Sequence, residues 1–155
     1  MSFSKILNLA EQMERTGVST YRRFAEMADD PAVAALFGEL ADQEIEHGRT
    51  FRDMREQFEA DKASGGGLSA DQNKRLEKVL AEADRRNLGA VLQDNFPVIS
   101  VEELLHRAIG LEKSVIAFFS DTRSALKDDR GREAIDRIIA EEMTHIDWLN
   151  AKLHG

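Results

Sequence analysis

The chain has 155 residues and a formal net charge of −8 at pH 7; the length suits a single core, and the acidic balance argues against a nucleic-acid or anionic-membrane partner. It contains no cysteine, which excludes disulfides, thiolate metal sites and thiol catalysis and leaves nitrogen and oxygen as the only metal donors. No N-terminal apolar run resembles a signal peptide and no stretch approaches about 20 apolar residues, so the expectation is a soluble cytoplasmic protein.

Two prolines in the whole chain, with Ala, Leu, Glu and Arg abundant, predict a nearly all-helical protein. The first helix is expected from Phe3 to Ala28, where Asp29-Asp30-Pro31 ends it and begins the next: Asp30 can cap, and Pro31 suits a first helical turn. The second helix runs to about Ala60, and Ser64-Gly65-Gly66-Gly67 then forms a flexible break. Ser69 with Gln72 resembles a capping box, and Leu76, Val79, Leu80 and Ala83 recur at helical spacing. A short crossover helix is therefore predicted over Asp71 to Asn87, ended by Gly89, with Asn95-Phe96-Pro97 as an extended connector.

Ser100 with Glu103 is a second capping box, opening a helix from Val101 to Leu126. Asp128-Asp129 separates it from a last helix at Arg132 to Leu153. The reading is one domain over 1–155, made of a helix hairpin at 3–60, a crossover at 61–100 and a second hairpin at 101–153. Short links make antiparallel neighbours, whereas a crossover of about 40 residues lets the second and third long helices run parallel.

The two hairpins repeat one another. An offset of 98 residues carries Glu14, Glu44 and His47 onto Glu112, Glu142 and His145. The same offset pairs Leu7 with Leu105, Ala10 with Ala108, Tyr21 with Phe119, Phe37 with Ile135 and Leu40 with Ile138. Conservative matches on one helical face indicate two copies of a hairpin, each needing the other to bury its apolar stripe.

The six polar residues fall inside those stripes. At about 100° per residue, Val33, Phe37, Leu40, Glu44, His47, Phe51, Met54 and Phe58 share one face. Glu142 and His145 lie among Ile135, Ile138 and Leu149, Glu14 among Leu7, Ala10, Val18 and Tyr21, and Glu112 among Leu105, Ala108, Val115 and Phe119. Four buried carboxylates without compensation would cost several kcal/mol each, and no Lys or Arg stands in the stripes to neutralise them. Two divalent cations would do so, with the two imidazoles as neutral ligands. The spacing i, i+3 in each Glu-x-x-His brings both side chains to one ion.

Glu103 and His106 share that spacing but fall on the opposite side of their helix from Glu112, so they are expected in solvent, as is His154 near the C-terminus. Tyr21 lies two turns from Glu14 and has two readings: a hydroxyl that bonds a metal-bound carboxylate or serves radical transfer, or a core aromatic like its repeat partner Phe119. Met13, Met27, Met54 and Met143 read as packing residues, and Trp148 as core or interface.

Met13-Glu14-Arg15-Thr16-Gly17 with Tyr21, Glu44-Ile45-Glu46-His47, Leu111-Glu112-Lys113 and Glu142-Met143-Thr144-His145 resemble the rubrerythrin family of the ferritin-like di-iron superfamily. The resemblance covers the four long helices and implies a ferritin-like four-helix bundle in which Glu14, Glu44, His47, Glu112, Glu142 and His145 ligate two iron ions, one or two of the glutamates bridging. It further implies redox chemistry on hydrogen peroxide or dioxygen, or handling of Fe(II). Two departures stand out: the family's rubredoxin-like domain with its four cysteines has no counterpart here, and Val115 occupies the position of an extra glutamate one turn beyond the Glu112 ligand. The six-residue set is similar to that of bacterioferritin as well, but Ile45 stands where a haem-binding Met is needed.

The expected protein is a rubrerythrin-like di-iron oxidoreductase working with an external electron donor. An iron-storage module and a bundle stapled by metal are the rival readings, and Mn or Zn the alternative ions. A homodimer is expected, and the glycine break also permits hairpins exchanged between chains.

Overall fold

The computed structural model describes residues 2–86 and 100–155. Asn87, Gly89 and the Asn95-Phe96-Pro97 connector lie outside the described residues. Five helices are present and no strand occurs among the described residues: α1 (Ser2–Met27), α2 (Pro31–Ala63), α3 (Ala70–Arg85), α4 (Val101–Ala125) and α5 (Asp129–His154).

Local chemistry sets the helix ends. Asp30 Oδ1 accepts from Ala32 N at 2.8 Å, with Pro31 in the first turn of α2. The capping box of α3 is complete, Ser69 Oγ accepting from Gln72 N at 3.2 Å and Gln72 Oε1 from Ser69 N at 3.2 Å. Ser100 Oγ accepts from Glu103 N at 3.1 Å to start α4.

Two boundaries differ from expectation. α5 begins at Asp129, because Asp128 is its cap and accepts from Gly131 N at 2.9 Å; the acidic pair opens the helix instead of separating two. α2 continues past Ala60 to Ala63, with Gln57 Nε2 donating to Asp61 Oδ1 at 2.8 Å across its last turns. The glycine triplet then forms a defined turn: Gly66 N donates to Asp61 O at 2.7 Å, flanked by Gly65 at φ 94° and Gly67 at φ 139°. A Cβ on Gly66 would stand 2.8 Å from the Asp61 carbonyl oxygen.

The long helices form a bundle whose core is divided along its length. One apolar cluster joins Phe3, Ile6 and Leu7 at the start of α1 to Phe51 and Phe58 near the end of α2, Phe118 and Leu126 at the end of α4, and Ile135 and Ile138 at the start of α5. The other joins Tyr21 and Phe24 at the end of α1 to Val33, Phe37 and Leu40 at the start of α2, Leu104 and Leu105 at the start of α4, and Leu149 at the end of α5. The ends of α2 and α4 thus share one cluster and their starts the other, so these helices run parallel, as the long crossover predicts. α3 covers the first cluster between α1 and α4, inserting Leu76 and Ala83.

Phe51 on α2 packs on Phe119 of α4 with centroids 4.9 Å apart, which joins the hairpins directly. Fully burying each such ring contributes about 1.5–3 kcal/mol. The two hairpins of one chain thus pack on each other. The methionines divide: Met13 is buried and Met54 packs partly buried against the core, whereas Met27 and Met143 are exposed, which corrects their reading as packing residues. Both sit on the outward side of their helices, a position to which an unbranched apolar chain is readily tolerated.

Candidate metal centre

Between the two apolar clusters lies a layer of six ionisable side chains, one level in the middle of all four long helices. Glu14, Glu44, His47, Glu112, Glu142 and His145 are each 4 % exposed or less. They form two overlapping groups, Glu14–Glu44–His47–Glu142 and Glu44–Glu112–Glu142–His145, whose candidate ligand atoms all lie within 4.8 Å of one another inside each group. Glu44 and Glu142 belong to both groups, while Glu14 with His47 and Glu112 with His145 mark the two ends.

Both imidazoles turn Nδ1 inward. His47 Nδ1 is 2.8 Å from Glu142 Oε1, 3.6 Å from Glu44 Oε2 and 3.7 Å from Glu14 Oε2. His145 Nδ1 is 3.2 Å from Glu142 Oε2, 3.4 Å from Glu112 Oε1 and 3.6 Å from Glu44 Oε1. The rings are nearly parallel, 5.9 Å apart at an interplanar angle of 17°.

The protein alone leaves this layer poorly compensated. Among the described residues, the four carboxylates find their ion-pair partners only in the two imidazoles. Both oxygens of Glu14, one each of Glu112 and Glu142, and Nδ1 of His47 are buried without a well-formed hydrogen bond. Such orphaned atoms facing one point are what a bound cation would satisfy, and carboxylate oxygen with imidazole nitrogen is a donor set suited to iron, manganese or zinc. The residues present therefore fit a dinuclear metal site.

Protons are the alternative counter-charge. Burial opposes protonation of both rings, but the facing carboxylates outweigh it: Glu142 and Glu44 raise His47 to about 11, and Glu112, Glu142 and Glu44 raise His145 to about 11. Burial, followed by the charge of Glu112 and a hydrogen bond to it, raises the Glu142 carboxyl, against the lowering effect of the two imidazoles. A metal entering this layer must displace those protons.

Three neighbours complete the picture. Tyr21 Oη donates to Glu112 Oε1 at 2.5 Å, reaching from α1 across to α4, and burial together with Glu112 holds the phenol well above its usual pKa. The same ring stacks on Phe37 at 5.9 Å, so Tyr21 is a core aromatic and a carboxylate donor at once. On the far side, the outward Nε2 of His47 lies 2.6 Å from Glu141 Oε2, and Nε2 of His145 lies 2.5 Å from Gln43 Oε1. Trp148, half-buried, lies against the His145 ring at 5.7 Å.

Sequence reasoning missed Gln43 and Glu141, although a signal existed: they are themselves related by the offset of 98, each just before the Glu of a Glu-x-x-His. They lie off the apolar stripe, which is why the helical pattern passed over them. Glu103 and His106 stand apart from the cluster as expected: Glu103 pairs with Arg107 at 3.0 Å, and exposed His106 lies 3.7 Å from Glu102. His154 is exposed in the last turn of α5.

A small cavity of about 20 Å³ adjoins the layer on the α1–α4 side, where Glu14, Glu44, Glu112 and Tyr21 meet Gly17 and Val115. A Cβ on Gly17 would touch Glu44 Cγ at 3.5 Å and Glu44 Oε2 at 3.8 Å, so glycine here keeps space beside that carboxylate. No helix among the described residues is long and apolar enough to cross a membrane.

The comparisons with known proteins agree with this geometry. A protein from Thermotoga maritima, described as a candidate ferritin-like diiron-carboxylate protein, has a solved structure that superposes with a TM-score of 0.70 at 26% sequence identity, covering 99% of this chain and 95% of that one. No curated protein matches the chain. Residues 5–153 match the rubrerythrin family profile. With that match running through all four long helices and through every member of the buried Glu/His layer, the chain belongs to the rubrerythrin family, on a ferritin-like helical bundle.

Proposed function

We propose that this chain is a di-iron oxidoreductase that reduces hydrogen peroxide or dioxygen, with Glu14, Glu44, His47, Glu112, Glu142 and His145 holding the two ions. The observation that carries the reading is the cavity of about 20 Å³ against Glu14, Glu44, Glu112 and Tyr21. A space of that size admits a water-sized molecule, since roughly 10–15 Å³ is needed for one water. Family membership favours iron over Mn or Zn.

When bound, two Fe(II) ions supply electrons and open coordination positions for the oxidant. The chain's own residues do the rest. Glu44 and Glu142, common to both groups, would help to hold both ions. His47 and His145 do not line the cavity, whose wall carries the carboxylates of Glu14, Glu44 and Glu112, so an oxidant entering there meets the carboxylate face. Tyr21 Oη holds Glu112 Oε1 in place and keeps its proton through the neutral range.

Reducing one peroxide to two waters takes two electrons and two protons. Val115 supplies no carboxylate to the cavity wall, where the O–H groups are those of Thr16, Thr20 and Tyr21. The electrons are replenished by an external donor.

Elemental analysis after iron-replete expression should find two ions per chain, and saturation at one would sink the dinuclear reading. Anaerobic diferrous protein, exposed separately to peroxide and dioxygen with a donor present, should turn over repeatedly without mineral. Accumulation of many irons per chain would instead identify a store.

A further inference from the structure

Resting on the metal centre proposed above, we infer that its two ends are unequal: the Glu14–His47 end binds a divalent cation more tightly than the Glu112–His145 end, because Glu141 and Tyr21 polarise the two ends in opposite senses. Two independent contacts carry this. The first is at the histidines. Each Nε2 faces a side-chain oxygen of the opposite hairpin, His47 meeting Glu141 Oε2 at 2.6 Å and His145 meeting Gln43 Oε1 at 2.5 Å.

Both oxygens accept, so a ring that gives up its inward proton to a cation keeps the one on Nε2 and offers the Nδ1 lone pair to the ion. The acceptors differ in charge. Glu141 is a carboxylate and makes His47 the more electron-rich ligand, whereas Gln43 is a neutral amide and does not do this for His145.

The second contact is at the end carboxylates. Tyr21 Oη donates to Glu112 at 2.5 Å and draws charge from it, while the repeat position on the other hairpin is Phe119, which has no proton to give Glu14. Both oxygens of Glu14 remain without a hydrogen bond and keep their full charge for a cation. At both positions the Glu14–His47 end is the more strongly donating.

Outer hydrogen-bond partners of metal-bound histidines are worth about 10–100-fold in affinity. The Glu141 side chain is 47% exposed, so solvent screening sets its share near the lower end, about 10-fold. The residue acts through His47, and Glu141→Gln isolates its charge because the amide oxygen still accepts the same bond.

The experiment titrates the intact chain, labelled with ¹⁵N at histidine, with Zn(II) against a competing chelator. The four imidazoles are followed by NMR, with exposed His106 and His154 as internal references. The wild type should shift His47 during the first equivalent and His145 during the second, with the two affinities about 10-fold or more apart. Glu141→Gln should weaken the first step about 10-fold and draw the two steps together. Gln43→Glu should tighten the second step, and Tyr21→Phe should do so to a smaller extent.

Simultaneous shifts of both rings in the wild type, His145 filling first, or a Glu141→Gln chain with unchanged separation would each overturn the inequality while leaving the metal centre standing. Zn(II) that moves neither His47 nor His145 would overturn the centre and the inequality together.

Discussion

The hairpin α1–α2 and the hairpin α4–α5 place the same three residue types at the same depth and differ in what surrounds them. Inside the layer they are interchangeable: Glu14 answers Glu112, Glu44 answers Glu142 and His47 answers His145, all buried. One residue or two turns away the likeness ends. Tyr21 faces Phe119 across the repeat, and Gln43 faces Glu141. The first hairpin therefore donates a phenolic hydrogen bond to its partner's end carboxylate and receives a carboxylate against its own histidine. The lesson is that a duplicated bundle can keep its inner charges symmetric while its outer contacts make the halves unequal.

Removing a residue shared by both ends breaks the comparison most completely. Glu142→Ala should lose at least one ion, and Glu44→Ala should match it, since both residues belong to both groups. Metal analysis on the purified variants checks this, and full loading of either would contradict the shared role.

Next in size is the effect of pH on the metal-free protein. His47 and His145 are raised to about 11 from 6.5, so the native state holds protons that the unfolded chain releases. Their contribution to stability is complete below pH 6.5 and is lost as pH rises toward 11. Glu142, also raised, acts in the same direction. Metal binding has the opposite trend and weakens as pH falls, because the ligands must lose protons. Urea melts of metal-free and metal-loaded protein across this range should diverge; parallel profiles would refute the assignment.

The end carboxylates sharpen the comparison further. Glu14→Leu removes a buried acid that has no hydrogen bond from a layer with four carboxylates and two imidazoles, and should stabilise the metal-free fold by about 1–3 kcal/mol. Glu112→Leu should gain less, since Tyr21 then loses its acceptor at a cost of about 1–3 kcal/mol. Equal effects in chemical denaturation would mean that the Tyr21 bond contributes nothing.

Smaller again is Tyr21→Phe, which makes the first hairpin resemble the second. It should keep both ions and cost about 1–3 kcal/mol through the lost bond to Glu112. Loss of an ion would assign Tyr21 a larger part. Glu103→Ala should change neither loading nor spectrum, and should alter stability by less than about 0.5 kcal/mol in the same melts.

The amino-acid sequence alone determined the all-helical fold and the six candidate ligands, because each rests on position along a single helix, and the parallel running of α2 and α4, because a crossover of about 40 residues is long enough to return the chain to the same end of the bundle. Periodicity fixes the angle of a side chain about its own axis, and an acid or imidazole inside an apolar stripe must meet its counterparts in the core. The caps at Asp30, Ser69 and Ser100 were readable for the same local reason. The start of α5 at Asp129 was not, since Asp128 could separate two helices or cap one until its bond to Gly131 N was seen.

Partners across helices were decided only by the tertiary structure. Gln43 and Glu141 stand about 100° from the buried stripe and read as surface polars until the opposite hairpin brings an imidazole edge within 2.6 Å of each. Tyr21 could have met Glu14 on its own helix, yet its hydroxyl reaches Glu112 on α4. Which of two neighbours a side chain bonds depends on the distance and rotation between helix axes, and those are set by how the two apolar clusters pack on either side of the layer.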